Sequence, residues 1–166
     1  PGYFQAGDAE LDLASRILSQ GKNSRLYKSL VYDRQIASDV SAFNYSLEIA
    51  GLFGVVATAR PGESPGELKR SIREEIGRFA LEGPSEEELL REQAKQEYEF
   101  ISGLERIGGF GGKSDLLNQY NTFLGAPNYF EEDYARYQGV SADAIRQAVG
   151  QYLDTWQRLV VTFVPE

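Results

Sequence analysis

Three stretches hold residues of the types and spacing that do chemistry. The first is Glu86-Glu87-Glu88, followed by Glu92, Glu97 and Glu99. Clustered carboxylates can bind hard cations such as Ca²⁺ or Mg²⁺, or act as an acid–base pair. Here they alternate with Arg91, Lys95 and Gln96, and there is no Asp-rich calcium loop. The pattern reads as the solvated, mixed-charge face of a helix. The second is Gly108-Gly109-Phe110-Gly111-Gly112-Lys113-Ser114, which has the composition of a phosphate loop. Such a loop needs Gly, four residues, then Gly-Lys-Ser, and it follows a strand. Counting back from Gly112, Ile107 takes the place of the first glycine, and the preceding segment reads as helix. The stretch is read as a mobile hinge between two helices. The third is Ser24-Arg25-Leu26-Tyr27 with Tyr32-Asp33-Arg34, the densest polar–aromatic grouping. It either lines a binding cleft or is a helix packed by Tyr27 and Leu30, with Arg25 and Arg34 in solvent.

The residue types that are missing bound the chemistry further. The 166 residues include no His and no Cys. That excludes a Ser–His or Cys–His nucleophile pair, a zinc site of the usual His/Cys type, disulfides and an Fe–S cluster. Asp and Glu can run acid–base chemistry alone, but few enzymes working near neutral pH lack His. Composition therefore argues against a free-standing catalyst. The 17 basic and 25 acidic residues give a net charge of −8. Such a surface repels phosphate backbones and anionic membranes, so neither nucleic acid nor membrane is an expected partner. No apolar run approaches the roughly 18–20 residues needed to span a bilayer. The chain starts Pro1-Gly2-Tyr3-Phe4, without an initiator Met or a signal-peptide pattern, and is read as a processed chain or a fragment of a larger protein. Absence of Cys is compatible with an oxidising compartment. Trp156 and the tyrosines are read as core or interdomain contacts rather than base-stacking platforms.

The elements that must position these residues follow from periodicity and punctuation. Length and a 42% apolar, 25% charged composition predict a single globular domain over 1–166. Asp8 is expected to cap a helix over 9–19, with Leu11, Ala14 and Leu18 on one face and Gly21 at its end. A second helix is predicted over 24–33, with Leu26, Tyr27 and Leu30 inward. Residues 36–47 and 52–59 read as strands joined at Glu48-Ile49-Ala50-Gly51 in an antiparallel hairpin. Ser64-Pro65-Gly66-Glu67 reads as a capping box opening a helix with the stripe Leu68, Ile72, Ile76 and Phe79, ended by Gly83. Ser85 and Glu88 form a second capping box. The helix it opens is predicted to bury Leu90, Ala94, Tyr98, Ile101 and Leu104, with Glu87, Arg91, Lys95 and Glu99 along another face. Ser114 is expected to cap a helix to Leu124, and a short helix covers 130–138. Ser141 caps the last helix, with Val140 stapled against Ile145 and with Ala144, Ala148 and Tyr152 continuing that face. A closing apolar strand, 158–164, is placed inside a sheet. The predicted fold class is α+β, with helices packed on one face of a mainly antiparallel sheet.

The order of segments then becomes specific. Gly21-Lys22-Asn23-Ser24-Arg25-Leu26-Tyr27-Lys28-Ser29-Leu30 is followed by Ile36-Ala37-Ser38-Asp39-Val40-Ser41-Ala42 and by Ala59-Arg60-Pro61-Gly62. Next come Glu82-Gly83-Pro84-Ser85-Glu86-Glu87-Glu88-Leu89, Val140-Ser141-Ala142-Asp143-Ala144-Ile145 and the apolar C-terminal stretch. From about Asp8 to Pro165 this resembles the second, non-metal-binding domain of a half-clamshell in the pitrilysin (insulinase) family of zinc peptidases, to which the mitochondrial processing peptidases belong. The resemblance implies an antiparallel sheet backed by helices, and a parent protein of two or four such domains enclosing a chamber. It implies a catalytic H-x-x-E-H motif with a further downstream Glu, in which the His pair and that Glu bind Zn²⁺ and the motif Glu activates water. With no His here, the implied zinc belongs to another domain of the parent or to a partner subunit. Many members also lend an Arg and a Tyr to the chamber from the C-terminal half. Those positions are Val31 and Ser38 here, so the roles are not carried over.

The expectation is therefore a non-catalytic chamber-wall and substrate-binding domain of a pitrilysin-type metalloendopeptidase. No residue of this chain is assigned as catalytic or metal-binding, and no substrate-binding residue is singled out. The expected partners are the zinc-bearing domain and an extended peptide, held by strand addition at a free sheet edge. Bacterial relatives are often exported, so the resemblance implies the periplasm. The alternative is a structural or assembly subunit without proteolytic role, like the non-peptidase relatives in respiratory complexes. A free-standing carboxylate enzyme is the third class.

Overall fold

Leu13, Ala14, Ile17 and Leu18 recur at helical spacing and are fully buried in α1 (Asp8–Ser19), which forms the centre of the core. The computed structural model describes residues 1–154 and 158–164, and Trp156 lies outside them. Asp8 does not cap α1. Gly7, with φ 93°, makes the turn into the helix, and its N–H donates to the Glu10 carboxylate at 3.0 Å. That places Asp8 inside the first turn, where its carboxylate serves other partners.

The second helix is wound more loosely than predicted. Residues Tyr27–Asp33 form a π-helix, closed by Arg34 N–H donating to the Ser29 carbonyl at 3.0 Å. Leu26 and Leu30 are fully buried, as their spacing predicted. The wide turn hands the chain to Gln35 at φ 56°, a left-handed backbone that a non-glycine residue seldom adopts. The hairpin follows as β1 (Ala37–Tyr45) and β2 (Leu52–Ala59), antiparallel, with Ser41 opposite Val56, Phe43 opposite Gly54 and Tyr45 opposite Leu52. A register irregularity lies between Ala37 and Asp39. The strand period of two sorts the side chains. Val40, Ala42, Phe53, Val55 and Ala57 pack on the core, while Phe43, Tyr45, Leu52 and Val56 face outward and are exposed.

Five helices complete the described residues: α2 (Pro65–Glu82), α3 (Glu86–Glu105), α4 (Lys113–Leu124), α5 (Phe130–Gln138) and α6 (Ala142–Tyr152). Ser85 and Glu88 form the predicted reciprocal cap, with bonds of 3.2 and 2.8 Å. Ser141 caps α6 through Ala144 N–H, and Val140 and Ile145 are both buried. Ser64 caps α2 through Gly66 N–H, without the return bond of a full box. α4 starts two residues early, at Lys113, so Gly112 and not Ser114 is its cap.

Two larger expectations fail. The stripe assigned to the buried side of α3 points outward: Leu90 is 58%, Tyr98 73% and Ile101 52% exposed. The buried side carries Leu89, Glu92, Gln93 and Gly103 instead. Gln93 decides this. Its Nε2 donates to the Tyr137 carbonyl at 3.0 Å and the Val140 carbonyl at 3.1 Å, satisfying the turn between α5 and α6. Glu92, fully buried, is met by Arg91 Nε at 3.0 Å and Lys95 Nζ at 2.9 Å. Hydrogen bonding, rather than apolar area, rotates the helix. The second failure is the closing strand. Residues 158–164 form no ladder, and Leu159 and Phe163 are about nine-tenths exposed. β-Propensity expresses fit to neighbouring strands, and no described strand lies beside this segment. The architecture is α+β, helix-rich, with a two-stranded antiparallel sheet among the described residues.

Candidate functional site

The outer edge of β1 and the flank of α1 enclose a groove of about 490 Å³ lined by Asp12, Ser15, Arg16, Ser19, Gln20, Ala42, Phe43 and Asn44. Ser19 Oγ accepts the Ala42 N–H at 2.6 Å, and its own proton lies between the carbonyls of Ala42 (3.2 Å) and Ser15 (3.3 Å). The backbone of Ala42 is thus turned away from β2. Alternation in an antiparallel ladder turns Val40 and Asn44 the same way. The groove runs along a row of outward backbone donors and acceptors, and α1 walls it.

Charge in the groove is paired. Arg16 Nη2 donates to Glu99 on α3 at 2.8 Å and Nη1 to Gln20 at 3.3 Å. Burial pulls the Arg16 guanidinium down, but the Glu99 hydrogen bond and charge outweigh it and hold the group above its usual value. Glu99 is correspondingly held below the ordinary carboxylate range by Arg16. Asp12 is pushed up by burial and by Asp8 beside it, against hydrogen bonds from Tyr137 and Asn44. Asp12 accepts from the Tyr137 hydroxyl at 2.6 Å and from Asn44 Nδ2 at 3.2 Å.

Behind the groove a polar joint ties α1, α4 and α5 to the N-terminal segment and the hairpin connection. Asp8 accepts from Arg136 at 2.7 Å, from Phe4 N–H at 2.9 Å and from the Ser46 hydroxyl. Arg136 also donates to Asp133 at 2.9 Å, and Asp133 accepts from the Tyr120 hydroxyl at 2.8 Å. Burial, then the bond to Asp133, raises the Tyr120 phenol. Burial alone would lower Arg136, but Tyr137, Asp133 and Asp8 drive it upward. No described buried side-chain polar atom lacks a partner.

The stretches singled out in the sequence lie elsewhere. Arg25 is not in solvent. It pairs with Glu88 through Nε at 2.8 Å and Nη2 at 2.7 Å, reaches the Gly83 carbonyl at 2.9 Å and covers the Phe79 ring at 4.6 Å. Arg34 donates to Ser71 at 2.7 Å and Glu74 at 3.2 Å. These residues fasten the π-helix region to α2 and α3 rather than line a cleft. The glycine loop joins α3 to α4 and is closed at its base by Lys113 N–H to Arg106 at 2.8 Å and Ser114 N–H to Ile107 at 3.0 Å. Gly111 N–H donates to the Asp115 carboxylate at 2.8 Å, a charge that repels phosphate. Of the acidic helix, only Glu99 reaches the groove side, through Arg16. Val31 is buried, and Ser38 is exposed with its hydroxyl 3.3 Å from the Thr58 carbonyl.

Sequence reasoning singled out none of the groove's residues as a site. The signal was present: Asp12, Ser15, Arg16 and Ser19 form a polar row at spacings of 3, 1 and 3 beside the apolar face of the helix. That is one helix flank. Among the described residues no group of three acidic side chains is placed to hold a metal ion. Zinc does not fit the groove, because a guanidinium held by Glu99 is the cation there.

Comparisons with known proteins agree with this architecture. Residues 5–96 match the family described as the peptidase M16 inactive domain. A zinc protease from Helicobacter pylori, PqqE, is 28% identical over 130 residues, covering 78% of this chain and 29% of the relative. The matched stretch is therefore under a third of that protein's length. A candidate zinc protease structure from Bordetella pertussis Tohama I superposes with a TM-score of 0.86 at 23% identity, covering 100% of this chain and 88% of that one. A Helicobacter pylori protease structure gives 0.77 at 19% identity, covering 92% of this chain and 36% of that one. The second of these is a longer chain of which this fold is one part. Since the family match takes in more than half of its residues, the chain belongs to the peptidase M16 inactive-domain family.

Proposed function

We propose that the chain is the peptide-binding, non-hydrolytic wall domain of a zinc metalloendopeptidase, with zinc and catalytic base supplied by another domain of the parent or a partner subunit. The observation that carries this reading is the outward edge of β1 beside the α1 groove. An extended peptide pairs with such an edge through its backbone, which tolerates varied sequence. Outward-facing Phe43, Tyr45, Leu52 and Val56 add apolar surface next to that edge. Phe43 lies over Gly54, where an added Cβ would meet the ring at 2.4 Å, so the glycine keeps the aromatic flat on the sheet.

Amide hydrogen exchange with an extended peptide tests the reading. Binding slows exchange at Val40, Ala42 and Asn44 and leaves α5 and α6 unchanged. Protection confined to another surface overturns it, as does unchanged substrate affinity of the assembled parent after alanine substitution along β1.

A further inference from the structure

The Ser19 hydroxyl does at Ala42 what a neighbouring strand does. It accepts the N–H at 2.6 Å and approaches the carbonyl at 3.2 Å, the two groups that an added strand would pair. It does so from the last residue of α1, half-buried, with the helix C-cap at Gln20 immediately behind it. A rotation about one side-chain bond releases both groups of Ala42, and the end of α1 must swing aside to admit a strand, because the Ser19 backbone lies directly behind its hydroxyl.

We propose that Ser19 is the stand-in for a peptide residue, and that displacing it fixes one binding register, with a small side chain opposite Ala42. This rests on the strand-addition reading above and deepens it. Directly opposed residues on paired strands put their side chains on the same face. Ala42 faces the core side, so the opposed peptide side chain points at α1, between Ser15 and Ser19 and beside Arg16. Ser15 is buried and Arg16 is fastened to Glu99, so a small side chain meets this wall without moving either, although the groove beyond it is open. The two flanking peptide side chains point the other way, onto the outer face with Phe43, where apolar residues gain contact. The substrate class is an extended peptide with a small residue between β-branched or aromatic ones.

The 166-residue chain and its Ser19→Ala and Ser19→Thr variants test this with two blocked pentapeptides, acetyl-Lys-Val-Ala-Val-Lys-amide and its Leu-centred counterpart. Without peptide, the Ala42 amide exchanges at least tenfold faster in Ser19→Ala, and Ser19→Thr restores the slow rate. Equal rates overturn the stand-in role. Ser19→Ala binds the Ala-centred peptide several-fold more tightly than the parent chain, since no hydroxyl must be displaced. All three proteins prefer it over the Leu-centred peptide by about tenfold. Equal affinity for both peptides overturns the register. If neither peptide binds any of the proteins, strand addition itself falls, whereas the peptide-free exchange rates still decide whether Ser19 guards Ala42.

Discussion

Arg136 is gripped by acids from two elements, Asp8 of α1 at 2.7 Å and Asp133 of its own helix at 2.9 Å. Its guanidinium carbon also lies 5.0 Å from the centre of the Phe4 ring and 4.8 Å from that of Tyr137. Replacing it with Leu leaves two buried carboxylates without their cation, and such breakage costs about 3–5 kcal/mol. Urea denaturation of Arg136→Leu is expected to show that loss, with Arg136→Lys intermediate because a point charge cannot fork between two acids. Glu88 makes a pH-dependent contribution. Burial raises it, but hydrogen bonds from Arg25 and Ser85 prevail and hold it below its unfolded value of 4.5. A lowered carboxylate stabilises the fold above the unfolded pKa and loses that contribution as pH falls through the folded one. Glu88→Gln should therefore cost about 1.5–3 kcal/mol at pH 7. The gap from the parent chain should close progressively below about pH 4.5 in a pH series of denaturation curves. Gln35 works in the opposite direction, since its φ of 56° strains a residue with a Cβ. Left-handed backbone costs roughly 1–2 kcal/mol, and glycine's extra unfolded freedom returns part of it. Gln35→Gly should raise stability by about 0.5–1 kcal/mol, and a lower denaturation midpoint would show that the strain is not there.

Among the elements, α3 separates what sequence pattern can reveal from what it cannot. Leu90, Ala94, Tyr98 and Ile101 form the better apolar stripe on paper, yet the helix turns Leu89, Glu92 and Gln93 inward. Periodicity counts apolar area and carries no information that the α5–α6 turn presents carbonyls that Gln93 satisfies. Leu89→Ala should cost about 2–5 kcal/mol, whereas Tyr98→Ala should stay within about 0.5 kcal/mol. The reverse ranking in thermal denaturation would restore the periodicity assignment. The local signals fared better. Ser85, Ser141, Gly83 and the hairpin turn all act within a few residues of themselves, and each sits where its chemistry placed it. The segment 158–164 failed for the converse reason: its Val and Phe supply propensity, but a strand is made by the strand beside it. The groove was hidden in the same way. Ser19 matters because Ala42, 23 residues away, lies opposite it, and the contact is written in neither segment alone.

At the scale of the whole molecule, the net charge of −8 governs what approaches the groove. Between Ile36 and Ala59 the chain has Asp39 and Glu48 and no basic residue, so the hairpin's own field is negative. Arg16, the groove's cation, is neutralised by Glu99. A cationic peptide is therefore drawn toward the β1 edge and an anionic one of equal length and strand propensity is repelled. Such steering acts on association, raising on-rates by about tenfold or more at low salt, and fades once the screening length falls below about 10 Å. Stopped-flow mixing with a Lys-flanked and a Glu-flanked peptide should give a faster on-rate for the first at low ionic strength. The two rates should converge near physiological salt, with dissociation rates changed little. The backbone pairing that holds the peptide carries no net charge, which is why the effect belongs to encounter and not to residence. Salt-independent on-rates would mean that the acidic surface lies away from the groove and that recognition there is made by backbone and shape alone.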